Sequence, residues 1–193
     1  MRLTPVPRPF LAPLLALSLL VVWFSVASAL HQAPFAIQSS RDLLRFGALN
    51  GDVHATHEWW RLVTSQWLHS QFLHLLFNVL AIGLTGSALE IRFGAVHLAW
   101  IYCVGGLAGQ LASLIAYPDL VSSGASQAAL AVCAAVLCLR VHRCGRIAAL
   151  LYLAISLGLD LAHAHTLKAG HIAGLIVGLL SGLALKAKSG PAG

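Results

Sequence analysis

Six apolar segments, separated by polar connections of which one is long, constrain this chain more than any other feature. A helix needs about 17–25 apolar residues to cross a bilayer, and the segments reach or approach that length, the fourth and fifth being the shortest. Only 9% of the residues are charged, against roughly 25% in a soluble domain. We therefore predict an all-α, polytopic membrane protein in which residues 1–193 form one domain with six transmembrane helices. The expected spans are Phe10–Leu30, Leu68–Leu89, Ala95–Tyr117, Gly124–Leu139, Ile147–Leu161 and Leu167–Leu185, with a long loop over residues 31–67.

The basic residues indicate orientation and not nucleic-acid binding. The net charge is +6, but the lysines and arginines are scattered singly, without a basic cluster that interleaves aromatic residues. Short cytoplasmic loops are enriched in Lys and Arg. With six spans, one side of the membrane receives Arg2, Arg8, Arg92, Arg140, Arg143, Arg146, Lys186 and Lys188. We therefore expect both termini in the cytoplasm and the loop of residues 31–67 outside.

The first segment has two interpretations. "MRLTPVPRPF", an apolar run and "ASAL" resemble a signal peptide with a cleavage site at Ala27–Ala29. The apolar run is longer than a usual signal core, so we favour an uncleaved anchor, and processing of this segment stays open.

Neither a disulfide framework nor a metal site is expected. The cysteines lie in apolar runs or in a basic loop, without a CxxC pair, at Cys103, Cys133, Cys138 and Cys144. Ten histidines leave a haem- or metal-binding bundle as an alternative. However, His69 and His74 are five residues apart, whereas a shared helix face needs three or four, and no carboxylate joins them as in a zinc site.

Polar residues interrupt three of the apolar segments near the same side of the membrane. His69, His74 and Asn78 lie in the second segment, Ser126 in the fourth and His171 in the sixth. In the expected orientation each lies within a few helical turns of the outer surface. Because polar groups inside a membrane tend to face the bundle interior or a water-filled cavity, we predict one hydrated site.

A glycine stripe explains how two of these residues meet. The sixth segment carries glycine at every fourth position, at Gly170, Gly174, Gly178 and Gly182. Such a groove allows the alanine-rich fourth segment to approach closely. Ser126 and His171 would then come within hydrogen-bonding reach, and a hydroxyl beside a neutral imidazole is the minimal activated nucleophile. His74 and Asn78 share a helix face and are candidate oxyanion donors.

Structural roles compete with these assignments. A membrane Ser often bonds to a carbonyl one turn earlier, and His or Asn often joins helices. Ser122 and Ser123 suit a turn or a helix cap. Asp160, near the outer end of the fifth segment, is either a third member of a catalytic triad or, as we favour, an anchor that pairs with Lys168 or His163.

The motifs resemble those of the rhomboid intramembrane serine proteases over residues 43–182. "WWR" matches the Trp-Arg of the family's first loop, "HSQFLHLLFN" its H-x4-H-x3-N, "GSALEIRFG" its G-x3-E-x3-G, "GAS" the start of G-x-S-G and "HIAGLIVG" its H-x2-G-x3-G. The resemblance implies a six-helix bundle with a cavity open to the outer side and a Ser–His dyad of Ser126 and His171. The supporting positions that it implies are His69, Gly124, Gly174, Gly178, Trp60, Arg61, Glu90 and Arg92, with Glu90 and Arg92 tying the inner loop.

Three positions depart from the family pattern. Gln127 replaces the glycine after the serine, Leu130 replaces a tyrosine that often stacks on the histidine, and Gly170 replaces a more usual alanine. These departures leave a second function open, a rhomboid-like protein that binds transmembrane segments without cutting them. The favoured function is an intramembrane serine endopeptidase of a bacterial inner membrane, with transmembrane segments and the lipid bilayer as its partners and no cofactor.

Overall fold

The computed structural model describes residues 8–164 and 168–188, which form a bundle of helices. The helices are α1 (Leu11–Ala29), α2 (Ser40–Arg45), α3 (Val53–Thr56), α4 (Arg61–Thr64), α5 (Phe72–Ala81), α6 (Ser87–Phe93), α7 (Ala95–Ala116), α8 (Ser126–Cys138), α9 (Arg143–Ala164) and α10 (Ala169–Lys188). A 3₁₀ turn over Ser65–Trp67 precedes α5, and a π-helical turn over Ile82–Gly86 joins α5 to α6 in one continuous rod. Extended pairing in the described residues is limited to one antiparallel bridge between Leu49 and Ser122.

Among the described residues, five helical rods are long and apolar enough to cross a membrane: Leu11–Ala29, Phe72–Phe93, Ala95–Ala116, Arg143–Ala162 and Ala169–Lys188. Their outward faces carry large exposed apolar side chains such as Leu73, Leu80 and Leu180, as lipid contact requires. We conclude that the chain is an integral, multi-pass membrane protein with an all-α helical bundle.

Helix α8 is shorter than the fourth span, Gly124–Leu139, that the apolar pattern predicts. It has 13 residues, which is about 20 Å at 1.5 Å per residue, whereas a bilayer core is about 30 Å thick. Gly124 has a φ of +118° and Ala125 is the N-cap, so the helix begins only at Ser126. Its second residue, Gln127, lies beside Gly109, seven residues before the last residue of α7, so the start of α8 is set back from that end of α7.

The centre of the bundle is occupied by α8. Every residue from Ser126 to Val136 is buried, and the helix packs mainly between α7 and α10. The glycine stripe of α10 faces it: a Cβ added at Gly174 would meet the backbone of Gln127, and Cβ atoms at Gly178 and Gly182 would meet Ala131 and Ala135. This close approach fixes the distance between the starts of α8 and α10.

The same two turns of α8 also face glycines on α7, which the sequence patterns did not indicate. A Cβ at Gly105 would overlap the methyl group of Ala131, and one at Gly109 would overlap the Gln127 side chain. Because small residues allow membrane helices to pack backbone to backbone, α7, α8 and α10 can approach one another closely at these turns.

Glu90 ties α6 to the start of α1 and not to the loop that follows α6. Its carboxylate accepts hydrogen bonds from the backbone N–H groups of Phe10, Leu11 and Ala12, at 3.0, 3.0 and 2.9 Å. These are N–H groups at the start of α1 that have no partner within the helix. Arg92 is exposed and stacks over the Phe93 ring at 5.5 Å. Within the described part of the chain it makes no bond to Glu90, so the expected joint tie of Glu90 and Arg92 is replaced by a cap formed by Glu90.

Arg61 organises the long loop between α1 and α5. Its guanidinium donates to the carbonyls of Leu44 and Ala48, at 2.7 and 3.1 Å, and pairs with Glu58 at 2.8 Å. The same group lies 4.7 Å from the Trp60 ring centre. Trp60 and Arg61 therefore hold the short helices of this loop together, consistent with a supporting position.

Candidate active site

The loop before α8 is fixed by three hydrogen bonds from neighbouring elements. Gly124 donates its N–H to the carbonyl of Ser65 at 2.9 Å, and its carbonyl accepts from Gln110 at 3.4 Å. Ala125 donates its N–H to Nε2 of His69 at 3.3 Å. A side chain at Gly124 would lie 2.9 Å from Cε1 of His74 and would need the unfavourable positive φ. Together these contacts set where Ser126 starts the helix.

Ser126 and His171 form a hydrogen-bonded pair inside the bundle. Ser126 Oγ lies 2.9 Å from His171 Nε2, and both residues are buried, with 3% and 7% of their surfaces exposed. The other ring nitrogen of His171, Nδ1, lies 2.6 Å from Oδ2 of Asp160. The hydroxyl of α8, the imidazole of α10 and the carboxylate of α9 thus form one chain of hydrogen bonds.

A cavity of about 470 Å³ lies above this pair. It is lined by His74, Ser113, Tyr117, Leu120, Val121, Ser122, Ser123, Ser126, Gln127, Lys168 and His171. Most of these residues come from the helix ends near Ser126 and from the connection between α7 and α8. A reacting group in the cavity would therefore contact the Ser126 hydroxyl directly.

Of the predicted oxyanion donors, His74 lines the cavity and Asn78 is fully buried beneath it. Asn78 Nδ2 lies 2.9 Å from His69 Nε2, and Asn78 Oδ1 accepts a 2.5 Å hydrogen bond from the Tyr152 hydroxyl. His69 Nδ1 faces the carbonyl of Trp67 at 3.2 Å. One neutral tautomer, with the proton on Nδ1, satisfies all these His69 contacts. Asn78 retains one N–H for another acceptor, and its oxyanion role stays a prediction.

The Gln127 side chain fits because two neighbouring positions are glycine. A Cβ at Gly109 would lie 2.5 Å from Gln127 Cγ, and one at Gly170 would lie 3.4 Å from the same atom. A Cβ at Gly170 would also lie 2.8 Å from the Gly109 carbonyl oxygen. Two departures from the family pattern, Gln127 and Gly170, are therefore parts of one packing arrangement.

The other serines of the connection have different positions. Ser122 pairs its backbone with Leu49 and donates its hydroxyl to Gln110 at 2.7 Å. Ser123 lines the cavity. Neither serine caps α8, because the N-cap residue of this helix is Ala125 and the helix has no side-chain cap bond. The helix-cap alternative for these serines is therefore wrong.

Metal ligation finds no support in the part of the chain that the structure describes. Within it, no group of three or more His, Cys, Asp or Glu side chains is placed to hold a metal ion. The four cysteines are free, and their expected role as small packing residues applies to buried Cys133, whereas Cys103 and Cys144 are exposed. The side chain of His163 lies outside the described residues.

Comparison with known proteins agrees with the motifs. The Rhomboid domain family matches residues 56–188. The chain is 33% identical over 153 residues to the rhomboid protease GluP of Bacillus subtilis (strain 168), covering 76% of this chain and 30% of that protein. It is 32% identical over 165 residues to the mitochondrial RHOMBOID-like protein 6 of Arabidopsis thaliana, covering 81% and 53%. The inactive RHOMBOID-like protein 8 of the same plant is 33% identical over 101 residues, covering 51% and 29%.

These similarities define a class of helical membrane proteins that includes named proteases. The chain belongs to the rhomboid family. It spans between about a third and a half of the length of these curated relatives, as the aligned shares of 30%, 53% and 29% show. Since one of them is named inactive, family membership alone does not decide whether this chain cuts its substrates.

Proposed function

We propose that this protein is an intramembrane serine endopeptidase, with Ser126 as nucleophile and His171 as general base. The observation that carries the proposal is the 2.9 Å contact between Ser126 Oγ and His171 Nε2 at the floor of a cavity. A nucleophile and its base need this hydrogen-bonding distance. The family membership and the similarity to a named rhomboid protease support the same chemistry.

The reaction proceeds by acyl transfer. Ser126 Oγ attacks the carbonyl carbon of the scissile peptide while its proton moves to His171 Nε2. Collapse of the tetrahedral intermediate breaks the C–N bond, and Nε2 returns the proton to the departing amine. Water then adds to the acyl carbon, gives one proton to Nε2 and releases the acid, and the proton returns to Ser126 Oγ.

The start of α8 supplies donors for the oxyanion. The first N–H groups of a helix have no partner within it, and they carry the positive end of its dipole. In α8 the first backbone hydrogen bond within the helix runs from the Ala129 N–H to the Ala125 carbonyl, at 2.9 Å. The N–H groups of Ser126, Gln127 and Ala128 precede it. His74, on the wall of the cavity, supplements them, and Asn78 contributes through its remaining N–H.

The substrates are transmembrane segments of other membrane proteins, cut near their outer ends. The position of Ser126 supports this, because its neighbour Gln127 lies beside Gly109, about two turns from the end of α7. The positive residues of the short loops support an orientation with both termini in the cytoplasm, and the membrane we propose is a bacterial inner membrane.

Binding without cleavage is the competing function. Gln127 favours it, because its Oε1 lies 3.4 Å from Ser126 Oγ and offers the hydroxyl a second acceptor. The Ser126 hydroxyl lies closer to His171, at 2.9 Å, which favours the protease.

A serine-reactive fluorophosphonate distinguishes the two functions. We expect the purified wild-type protein to be labelled, Ser126→Ala to lose labelling completely and His171→Ala to lose most of it. Ser122→Ala and Ser123→Ala are matched controls from the same loop and should keep labelling. Equal labelling of wild type and Ser126→Ala would reject Ser126 as nucleophile, and an unlabelled wild type would favour the binding function.

A further inference from the structure

The buried carboxylate of Asp160 contacts His171 through the ring nitrogen that does not face Ser126. Asp160 lies near the outer end of α9 with 2% of its surface exposed, and its Oδ2 is 2.6 Å from His171 Nδ1. His171 Nε2 is 2.9 Å from Ser126 Oγ. The imidazole therefore bridges the carboxylate and the hydroxyl through its two nitrogens.

This contact selects the tautomer that the reaction needs. An ionised carboxylate can only accept hydrogen bonds, so His171 Nδ1 must carry the proton that lies between it and Asp160. Nε2 is then unprotonated and can take the proton of Ser126. In the other tautomer, Nε2 would present N–H to the hydroxyl and could not act as a base.

The carboxylate is held in place from its other side. Lys168 donates its backbone N–H to Oδ2 at 3.2 Å, and its Nζ lies 3.2 Å from Oδ1. A buried charge is tolerated when it is paired and hydrogen-bonded. Because the Lys168 side chain is 58% exposed, it supplies the countercharge from the cavity side without occupying the space between Asp160 and His171.

We infer that Asp160 is a positioning residue that completes a Ser126–His171–Asp160 triad, an inference that rests on the proposed function. The carboxylate orients the ring, keeps Nε2 free and stabilises the imidazolium that forms when Ser126 loses its proton. An anchor that only joins α9 to the start of α10 would need the pairing with Lys168 but not the bond to His171. The two roles therefore predict different effects of two substitutions.

The test compares Asp160→Asn with Lys168→Met in the full-length protein, with kcat, KM and melting temperature measured on a transmembrane test substrate in detergent. Asp160→Asn keeps the shape of the side chain but removes the charge-assisted bond to His171. It should lower kcat about tenfold to a hundredfold with KM changed less than about twofold. Lys168→Met removes the ion pair but keeps the backbone N–H and the bond from Asp160 to His171, so its loss of kcat should be clearly smaller than that of Asp160→Asn at a similar loss of thermal stability.

The outcomes separate this inference from the proposed function. Wild-type kcat in Asp160→Asn, with normal fluorophosphonate labelling of Ser126, would reject the triad and leave the protease standing. Equal losses of kcat in both variants, in proportion to their lowered melting temperatures, would assign Asp160 to structure alone. A wild-type protein without labelling or turnover would overturn the proposed function and this inference together.

Discussion

Replacing Gly174 tests whether packing between α8 and α10 sets the distance from Ser126 to His171. A Cβ at this position would lie 3.1 Å from the carbonyl carbon of Gln127 and 3.2 Å from its Cα. Ordinary carbon contacts are about 3.5–4.0 Å, so even alanine requires a separation of several tenths of an ångström. Leucine adds three further carbons towards the same backbone. Its accommodation needs a movement of about 1 Å, which can cost on the order of a hundredfold in rate.

The glycine stripe provides its own controls. Gly182 is packed as tightly, because a Cβ there would lie 2.8 Å from Ala135 Cα. However, it is eleven residues from His171, or about 16 Å along the helix. Gly158 on α9 has open space around it, with no atom within 4 Å of an added Cβ.

The assay measures kcat and melting temperature for alanine and leucine at Gly174, Gly182 and Gly158. We expect Gly174→Leu to lose about a hundredfold in kcat, with Gly174→Ala intermediate. Gly182→Ala should lose stability, by about 1–3 kcal/mol, but retain most of kcat. Gly158→Ala should be neutral or stabilising. A folded Gly174→Leu protein with full activity would show that this contact does not set the Ser–His distance.

Two further predictions concern topology and the oxyanion. With Cys144 left as the only cysteine, an impermeant maleimide should label the protein only after the cells are opened, because the positive-inside rule predicts that the basic loop faces the cytoplasm. Labelling in intact cells would invert the orientation and move the cavity to the cytoplasmic side. His74→Ala should lower kcat by roughly a hundred- to a thousandfold with little change in KM, as expected of an oxyanion donor, and Asn78→Ala should do so to a smaller extent where the backbone N–H groups of α8 compensate. Tyr152→Phe, which removes only the hydroxyl bonded to Asn78, is the structural control, and lowered melting temperatures with unchanged kcat would assign His74 and Asn78 to helix packing.

Hydropathy predicts where apolar helices lie but not where they begin. Helix α9 starts at Arg143, four residues before the expected segment, because the basic residues of its first turn continue the helix although they lower the local hydropathy. Helix α8 starts at Ser126 because of the turn at Gly124, which an apolar pattern does not register. The π-helical turn between α5 and α6 likewise has no signal in the hydropathy.

The glycine spacing of α10 and the order of the motifs are local features of the sequence, and they predict the contact that the structure shows between Ser126 and His171. The sequence did not decide whether Asp160 contacts the Nδ1 atom of His171. Asp160 was expected to pair with Lys168 or His163, and the structure places it against both Lys168 and His171. The rotation of α9 about its axis decides this contact, and that rotation depends on packing between helices. Glu90 is a similar case, because its partners are backbone groups 78 to 80 residues away in the chain.

Cleavage of a transmembrane segment by the reconstituted protein tests the central claim most directly. The protein and a substrate with one transmembrane helix are placed in the same vesicles, and the products are sized by mass spectrometry. We expect wild type to produce two fragments, cut near the outer end of the substrate helix, and Ser126→Ala to bind the same substrate without cutting it. Binding by both proteins with no fragments from either, or fragments from Ser126→Ala at the wild-type rate, would contradict the proposal that Ser126 cuts transmembrane segments.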